Sequence, residues 1–166
     1  NYSCGVSKYV YLLLREFNDN PSYKLFFITN GGDSLDRLNS LNVEVHLMKF
    51  STGSINVFNF YSNYKLLKNF CIKNKIDIIH THHRYPELLA YYVSKKTIIK
   101  TITTVHSLLK SYKSLSFKSD KIIAVSNTVK NNLVKSYNVS EDKIIVMYNF
   151  INEKKFSEQK YLLEMK

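Results

Sequence analysis

Short apolar runs alternate with segments of helical period along the whole chain, and that alternation limits the possible folds more than any other feature. The strand-like runs are Lys24–Thr29 (core LFFIT), Val43–Met48, Ile76–His80 (IDIIH), Ile98–Val105, Lys121–Val125 (KIIAV) and Lys143–Met147 (KIIVM). They are short and nearly continuous in hydrophobicity, the pattern of strands buried on both faces. Between them lie amphipathic stretches. Val6–Phe17 carries Val6, Val10, Leu13, Leu14 and Phe17 on one stripe and is stopped at Asn18 to Pro21. A short, weak helix fits Asp33–Leu41 and a loop fits Ser51–Asn56. In Phe60–Lys75, Phe60, Tyr64, Leu67 and Cys71 form the inward stripe, while Lys65, Lys68 and Lys73 face water. Pro86–Val93 places Pro86 in a first helical turn. Ser126 caps a helix running to Tyr137, with Val129, Leu133 and Tyr137 inward. Strands separated by helices predict a doubly wound, mostly parallel, Rossmann-like α/β sheet with helices on both faces and right-handed crossovers. The opening helix has no strand before it. In such folds the first strand usually lies near the sheet centre, so a strand ahead of Asn1 is expected.

A length of 166 residues suits one domain with a real core. At 45% hydrophobic and 22% charged the chain is globular rather than disordered. No apolar run approaches the ~20 residues of a membrane helix. Cys4 and Cys71 lack metal or redox spacing, which favours a reducing, cytoplasmic setting. The net charge of +11 points to polyanionic company or to a genome rich in Lys and Asn codons. Arginine, which carries bidentate base recognition, occurs only as Arg15, Arg37 and Arg84, and this argues against nucleic acid as partner.

Open α/β sheets bind ligands beyond the carboxyl ends of their strands. The residues there are His80, Thr81, His82, His83 and Arg84; His106 and Ser107; Ser126 and Asn127; and Tyr148 and Asn149, with Cys4 and Gly5 before the first helix. Four of the five histidines fall on this edge, and His46 does not. His106 is the sharpest candidate: an imidazole at a strand end can donate to a hydroxyl or phosphate or stabilise a leaving oxygen, or it can simply satisfy loop backbone. His80, His82 and His106 could form a three-histidine metal set, but no acidic ligand motif accompanies them, and one histidine packed in the core with another lining the cleft is the simpler outcome. Gly5 would let an anion approach a helix amino terminus, or is plain loop geometry. Both G-x-G-x-x-G and the P-loop are absent, which disfavours nicotinamide cofactors and P-loop nucleotide hydrolysis. Ser126 reads first as a helix cap and Asn149 as a turn residue, and Glu87 complements a helix dipole.

Five segments in order resemble the amino-terminal domain of the family 4 glycosyltransferases, which have the glycosyltransferase-B fold. CGVSKYVYLLLREF resembles the glycine loop and first helix, IDIIHTHHRYPELLAYY the D-[IV]-[IV]-H-x-H segment, and KTITTVHS the strand ending in histidine. SDKIIAVSNTVKNNLV and KIIVMYNFINEKKF resemble the last two conserved segments, the latter where the chain leaves this lobe. The glycine pair is reduced to Cys4-Gly5, Ser7 stands in place of the usual Glu, and Asn149 to Asn152 lacks the Gly and Asp of the family pattern.

The resemblance implies one acceptor-side lobe over residues 1–156 and the start of an inter-lobe or carboxy-terminal segment over 157–166. It implies retaining transfer of a sugar from a nucleotide-diphosphate donor to a glycan or lipid-linked acceptor hydroxyl, with no metal and no further cofactor. His106 matches the histidine that reaches the reacting sugar, and Gly5 the loop near the diphosphate. Ser126, His80, His82, Arg84 and Asn149 are cleft candidates. The partner lobe that holds the donor lies outside this chain, so the chain alone is expected to be inactive. Many relatives work at the inner membrane face, and Lys65, Lys68, Lys73, Lys95, Lys96, Lys110, Lys113 and Lys118 could meet anionic lipid there. The rival readings are a non-catalytic Rossmann-like module binding a phosphorylated ligand or polyanion, and a two-lobed sugar-nucleotide epimerase.

Overall fold

The structure is a computed structural model that describes residues 5–32, 35–48, 57–110 and 113–149. Cys4, the Ser51–Asn56 loop, residues 150–152 and the 156/157 boundary lie outside the described residues. The element order is α1 (Gly5–Asn18), β1 (Leu25–Thr29), a 3-10 turn (Leu35–Ser40), β2 (Val43–Leu47), α2 (Val57–Lys73), β3 (Ile78–Thr81), α3 (Arg84–Ser94), β4 (Lys100–Val105), β5 (Lys121–Ala124), α4 (Asn127–Tyr137) and β6 (Ile144–Val146). Short 3-10 turns at Lys113–Leu115 and Glu141–Lys143 punctuate the last two connections.

Every strand pairing among the described residues is parallel, as the buried apolar runs predict. The strands form two ladders, β1–β2 and β3–β4–β5–β6, rather than the single sheet expected. β1 and β3 therefore each pair on one side only. The apolar LFFIT of β1 stays half-buried along its whole length, and Ile78 at the open edge of β3 is 56% exposed.

The period of two along the strands sorts their side chains. Ile79, Val105, Ile122 and Ala124 face the helices. Around Ile79 pack Leu67 and Cys71 of α2 and Leu89 and Val93 of α3; around the other three pack Val129, Leu133 and Tyr137 of α4. Ile28 of β1 joins the α2–α3 cluster, so those helices serve both ladders. Buried threonines on this face satisfy their hydroxyls locally: Thr103 Oγ1 donates to the Thr81 carbonyl, and Thr101 Oγ1 to Asp120 Oδ2 at 2.9 Å. The opposite face holds His80 and Thr104, and α1 lies there, with Tyr9 as its buried residue.

On α1 the expected Val6, Val10, Leu13 and Leu14 are half-buried, but the fully buried residue is Tyr9 beside them, and Phe17 departs from the stripe. Tyr9 is buried, whereas Phe17 is 39% exposed and packs edge-on against Tyr23. Helical period fixes which residues share a face, but the neighbour decides which face is covered, and here the neighbour is a group of imidazoles.

Helix ends follow local chemistry. The Ser126 hydroxyl accepts from the Val129 N–H at 3.2 Å and caps α4. Asn138 ends α4 in the left-handed conformation, a common helix stop. Only Val125 separates β5 from the Ser126 cap, which fixes the α4 amino terminus at the sheet edge.

Candidate functional site

The carboxyl ends of β3 and β4 converge on a group of histidines. His80 is the third residue of β3, and its Nε2 lies 2.8 Å from Thr104 Oγ1. His82 follows β3 on the same side, its ring 4.5 Å from that of His80. His106 follows β4, and its Nε2 lies 3.2 Å from His82 Nδ1. Tyr9 closes the group edge-on, 5.9 Å from the His82 ring and 5.0 Å from the His106 ring. Half-buried His80 turns to buried Thr104, while His82, His83 and His106 line a pocket.

That pocket holds about 240 Å³, and its walls include Val6, Arg84, Thr104, Ser107 and Phe117 with the three histidines. Val6 comes from the first turn of α1, so the helix amino terminus that begins at Gly5 stands at the pocket. No Cβ at Gly5 would meet another atom within 4 Å, so this glycine is not required for packing. Arg84 opens α3 and lines the same wall. Ser126 and Asn149 are placed elsewhere. The Ser126 hydroxyl is held by its cap, and Asn149 is exposed beyond β6.

Burial sets the protonation of the imidazoles. It lowers the His80 pKa to about 4, with His106 adding to the shift. It lowers that of His82 to about 2, with His80, His106 and His83 adding to it. His106 is pushed below its usual range by burial and then by His83. All three are neutral near pH 7, so each ring presents one N–H and one lone pair. Among the described residues no three of His, Cys, Asp and Glu gather as a ligand set for a metal. The three histidines are engaged with Thr104 and with one another instead.

Sequence reasoning missed what holds the pocket floor. Glu87, expected to serve a helix dipole, is 1% exposed. Its Oε1 accepts from the N–H groups of Lys118 (2.6 Å) and Ser119 (2.9 Å) and from the Ser119 hydroxyl, and its Oε2 accepts from the Phe117 N–H at 3.1 Å. One carboxylate thereby ties α3 to the connection between β4 and β5. Phe117, held there at φ 61°, lines the pocket and meets Tyr137 edge-on at 4.8 Å. Tyr9 and Thr104 were missed as well. Only the register of the strands, which the sequence does not print, brings them to the histidines.

Comparison with known proteins agrees with this architecture. The sequence is 27% identical over 164 residues to an uncharacterized glycosyltransferase of Methanocaldococcus jannaschii, covering 92% of this chain and 44% of that protein. The crystal structure of a glycosyltransferase from Rickettsia africae superposes with a TM-score of 0.73 at 28% identity, covering 97% of this chain and 47% of that one. The apo form of the lipopolysaccharide outer core galactosyltransferase WaaB superposes with a TM-score of 0.71 at 15% identity, over 90% of this chain and 43% of that one, and shows the fold alone. The chain spans less than half the length of these relatives. The family model described as Glycosyltransferase Family 4 matches residues 4–155, and the chain belongs to that family.

Proposed function

We propose that this chain is the acceptor-side lobe of a retaining glycosyltransferase, which moves a sugar from a nucleotide-diphosphate donor to a glycan or lipid-linked acceptor hydroxyl. The observation that carries the reading is the position of His106: half-buried at the carboxyl end of β4, on a pocket shared with the first turn of α1. A neutral imidazole there keeps one N–H and can donate it to an oxygen of the reacting sugar without first gaining a proton. The amino terminus of α1, reached past Gly5, offers N–H groups to the donor diphosphate. Arg84 and His82 shape the wall on the other side. Ser126 and Asn149 do not line this pocket. The donor itself is held chiefly by a second lobe, and no metal is needed.

Among the described residues, the edges of β1 and β3 that face away from β2 and β4 suit one further parallel strand. No helix of the described residues is long and apolar enough to cross a membrane. The exposed face of α2 combines Lys65 and Lys73 with Phe58, Tyr61 and Ile72, a mixture that suits the surface of an anionic bilayer and a lipid-linked acceptor at the inner membrane face.

The test is His106→Ala in the full-length enzyme, with a nucleotide sugar as donor. Loss of transition-state stabilisation lowers kcat by ~10²-fold or more, while the melting curve stays that of the parent. Wild-type kinetics in that variant removes His106 from the reaction. The 166-residue chain by itself serves as the inactive control, because half a cleft cannot orient a donor for attack.

A further inference from the structure

We infer that His82 is a positioning residue: it donates its Nδ1–H to His106 Nε2 and thereby holds the His106 proton on Nδ1, the ring nitrogen that does not meet His82. The geometry supplies the contact between the two rings. His82 Nδ1 and His106 Nε2 are 3.2 Å apart, a hydrogen-bond distance between two ring nitrogens. Two neutral rings hold such a contact only if one supplies N–H and the other a lone pair. Both rings are neutral near pH 7, since burial leads the lowering of both their pKa values. The bond therefore couples the tautomers: whichever ring donates decides where the other keeps its proton.

The surroundings choose the direction. The pocket that His106 lines also takes Arg84, His83 and the first turn of α1, where helix N–H groups and the helix dipole point outward. Such a wall suits an oxygen-rich or anionic occupant. A lone pair on His106 would repel that occupant, whereas an N–H would bind it. His106 must then carry its proton on Nδ1 and accept at Nε2, and His82 must be the donor. His82 is well held for this duty. Tyr9 meets its ring edge-on at 5.9 Å, and the His80 ring lies against it at 4.5 Å. His80 is in turn tied to buried Thr104. His82 thus acts on the occupant through His106, by keeping one tautomer in place.

The purpose of this arrangement rests on the transferase reading; its test does not. In the 15N-labelled 166-residue chain, long-range proton–nitrogen correlation distinguishes protonated from unprotonated ring nitrogens, and the His106 signals are assigned by their loss in His106→Gln. The expected result is a protonated Nδ1 and an unprotonated Nε2 on His106. In His82→Ala the two nitrogens exchange shift classes, toward the Nε2–H form that a free imidazole prefers in water. In His82→Asn, whose amide can donate from nearly the same point, the wild-type pattern returns. A wild-type His106 protonated at Nε2 overturns the inference, as does a tautomer that His82→Ala leaves unchanged. If His82→Ala fails to fold, the wild-type spectrum alone still decides. None of these readings requires sugar transfer, so a failed activity assay and a failed tautomer assignment remain separate results.

Discussion

Removing the Glu87 carboxylate tests the account of how the pocket is built. In Glu87→Ala three backbone N–H groups, those of Phe117, Lys118 and Ser119, lose their acceptor together with the Ser119 hydroxyl. Phe117 and Ser119 are buried at 6% and 0% exposure, so water cannot readily replace the carboxylate at either. An unsatisfied buried donor costs about 1–3 kcal/mol. Two such groups, with the hydroxyl free to rotate and Lys118 partly hydrated, give a loss of about 3–5 kcal/mol, the range seen when a buried charge pair is broken from one side. Phe117 also holds a left-handed backbone, at a cost of order 1–2 kcal/mol for a non-glycine residue, and it has less reason to stay there once its N–H is orphaned. Glu87→Gln keeps an oxygen for Lys118 and Ser119 but turns an NH2 toward the Phe117 N–H, so about 1–3 kcal/mol is lost. Burial raises the Glu87 pKa, and the four donors pull it down without cancelling that rise. The sign follows: a carboxyl with a raised folded pKa lends stability below its unfolded value of 4.5, and this is withdrawn as pH rises through the folded value. The gap between wild type and Gln is therefore widest in acid. Urea unfolding of the three proteins across pH 4–8 reads all of this. An Ala variant within about 1 kcal/mol of wild type, or a Gln gap that grows with pH, refutes the reasoning.

The neutral histidines carry the opposite sign. His80 and His82 are held near 4 and 2 against an unfolded value of 6.5, so their contribution is complete above pH 6.5 and declines as pH falls through that window. Each ring adds a slope of at most about 1.4 kcal/mol per pH unit; urea midpoints of a His80→Gln, His82→Asn variant show a flatter acid limb, and an equally steep one rejects the account. Ser126→Ala costs about 1 kcal/mol and speeds amide exchange at Val129, whose N–H it leaves without its cap; unchanged exchange there removes the capping role. Co-sedimentation with vesicles rises with anionic lipid content and weakens in Lys65→Glu and Lys73→Glu, by ~1 kcal/mol for each charge near the surface. Indifference to anionic lipid ends the membrane reading.

The fold was legible because its signals are local. Each apolar run became a strand within two residues of its expected bounds, and Ser126 caps the helix that its position announced. What stayed hidden depends on partners far apart in sequence. Nothing around Glu87 reveals that its acceptors' donors lie 30 to 32 residues onward. The stripe on α1 was read by period alone, and period cannot say that the covered flank would be the one bearing Tyr9. Nor can apolar runs report which strands touch.

The histidines show where the two kinds of information meet. Alternation along β3 puts Ile79 and Thr81 toward the helices and His80 and His82 toward α1. Alternation along β4 puts Thr103 and Val105 one way and Thr104 and His106 the other. Parity within each strand is written in the sequence, but which parity faces which is set by register, with Thr81 beside Thr103. That register sets His82 level with Thr104 and puts His106 two residues further along on the same side, within reach of the His82 ring. Their contact is thus a property of the ladder rather than of either segment. A shift of one residue in either strand would turn one ring into the helix-packed core and leave the other without its partner. The packing that fixes the register, Ile79 and Ile99 against α2 and α3 on one flank and Val105 and Ile122 against α4 on the other, is therefore also what aligns the imidazoles.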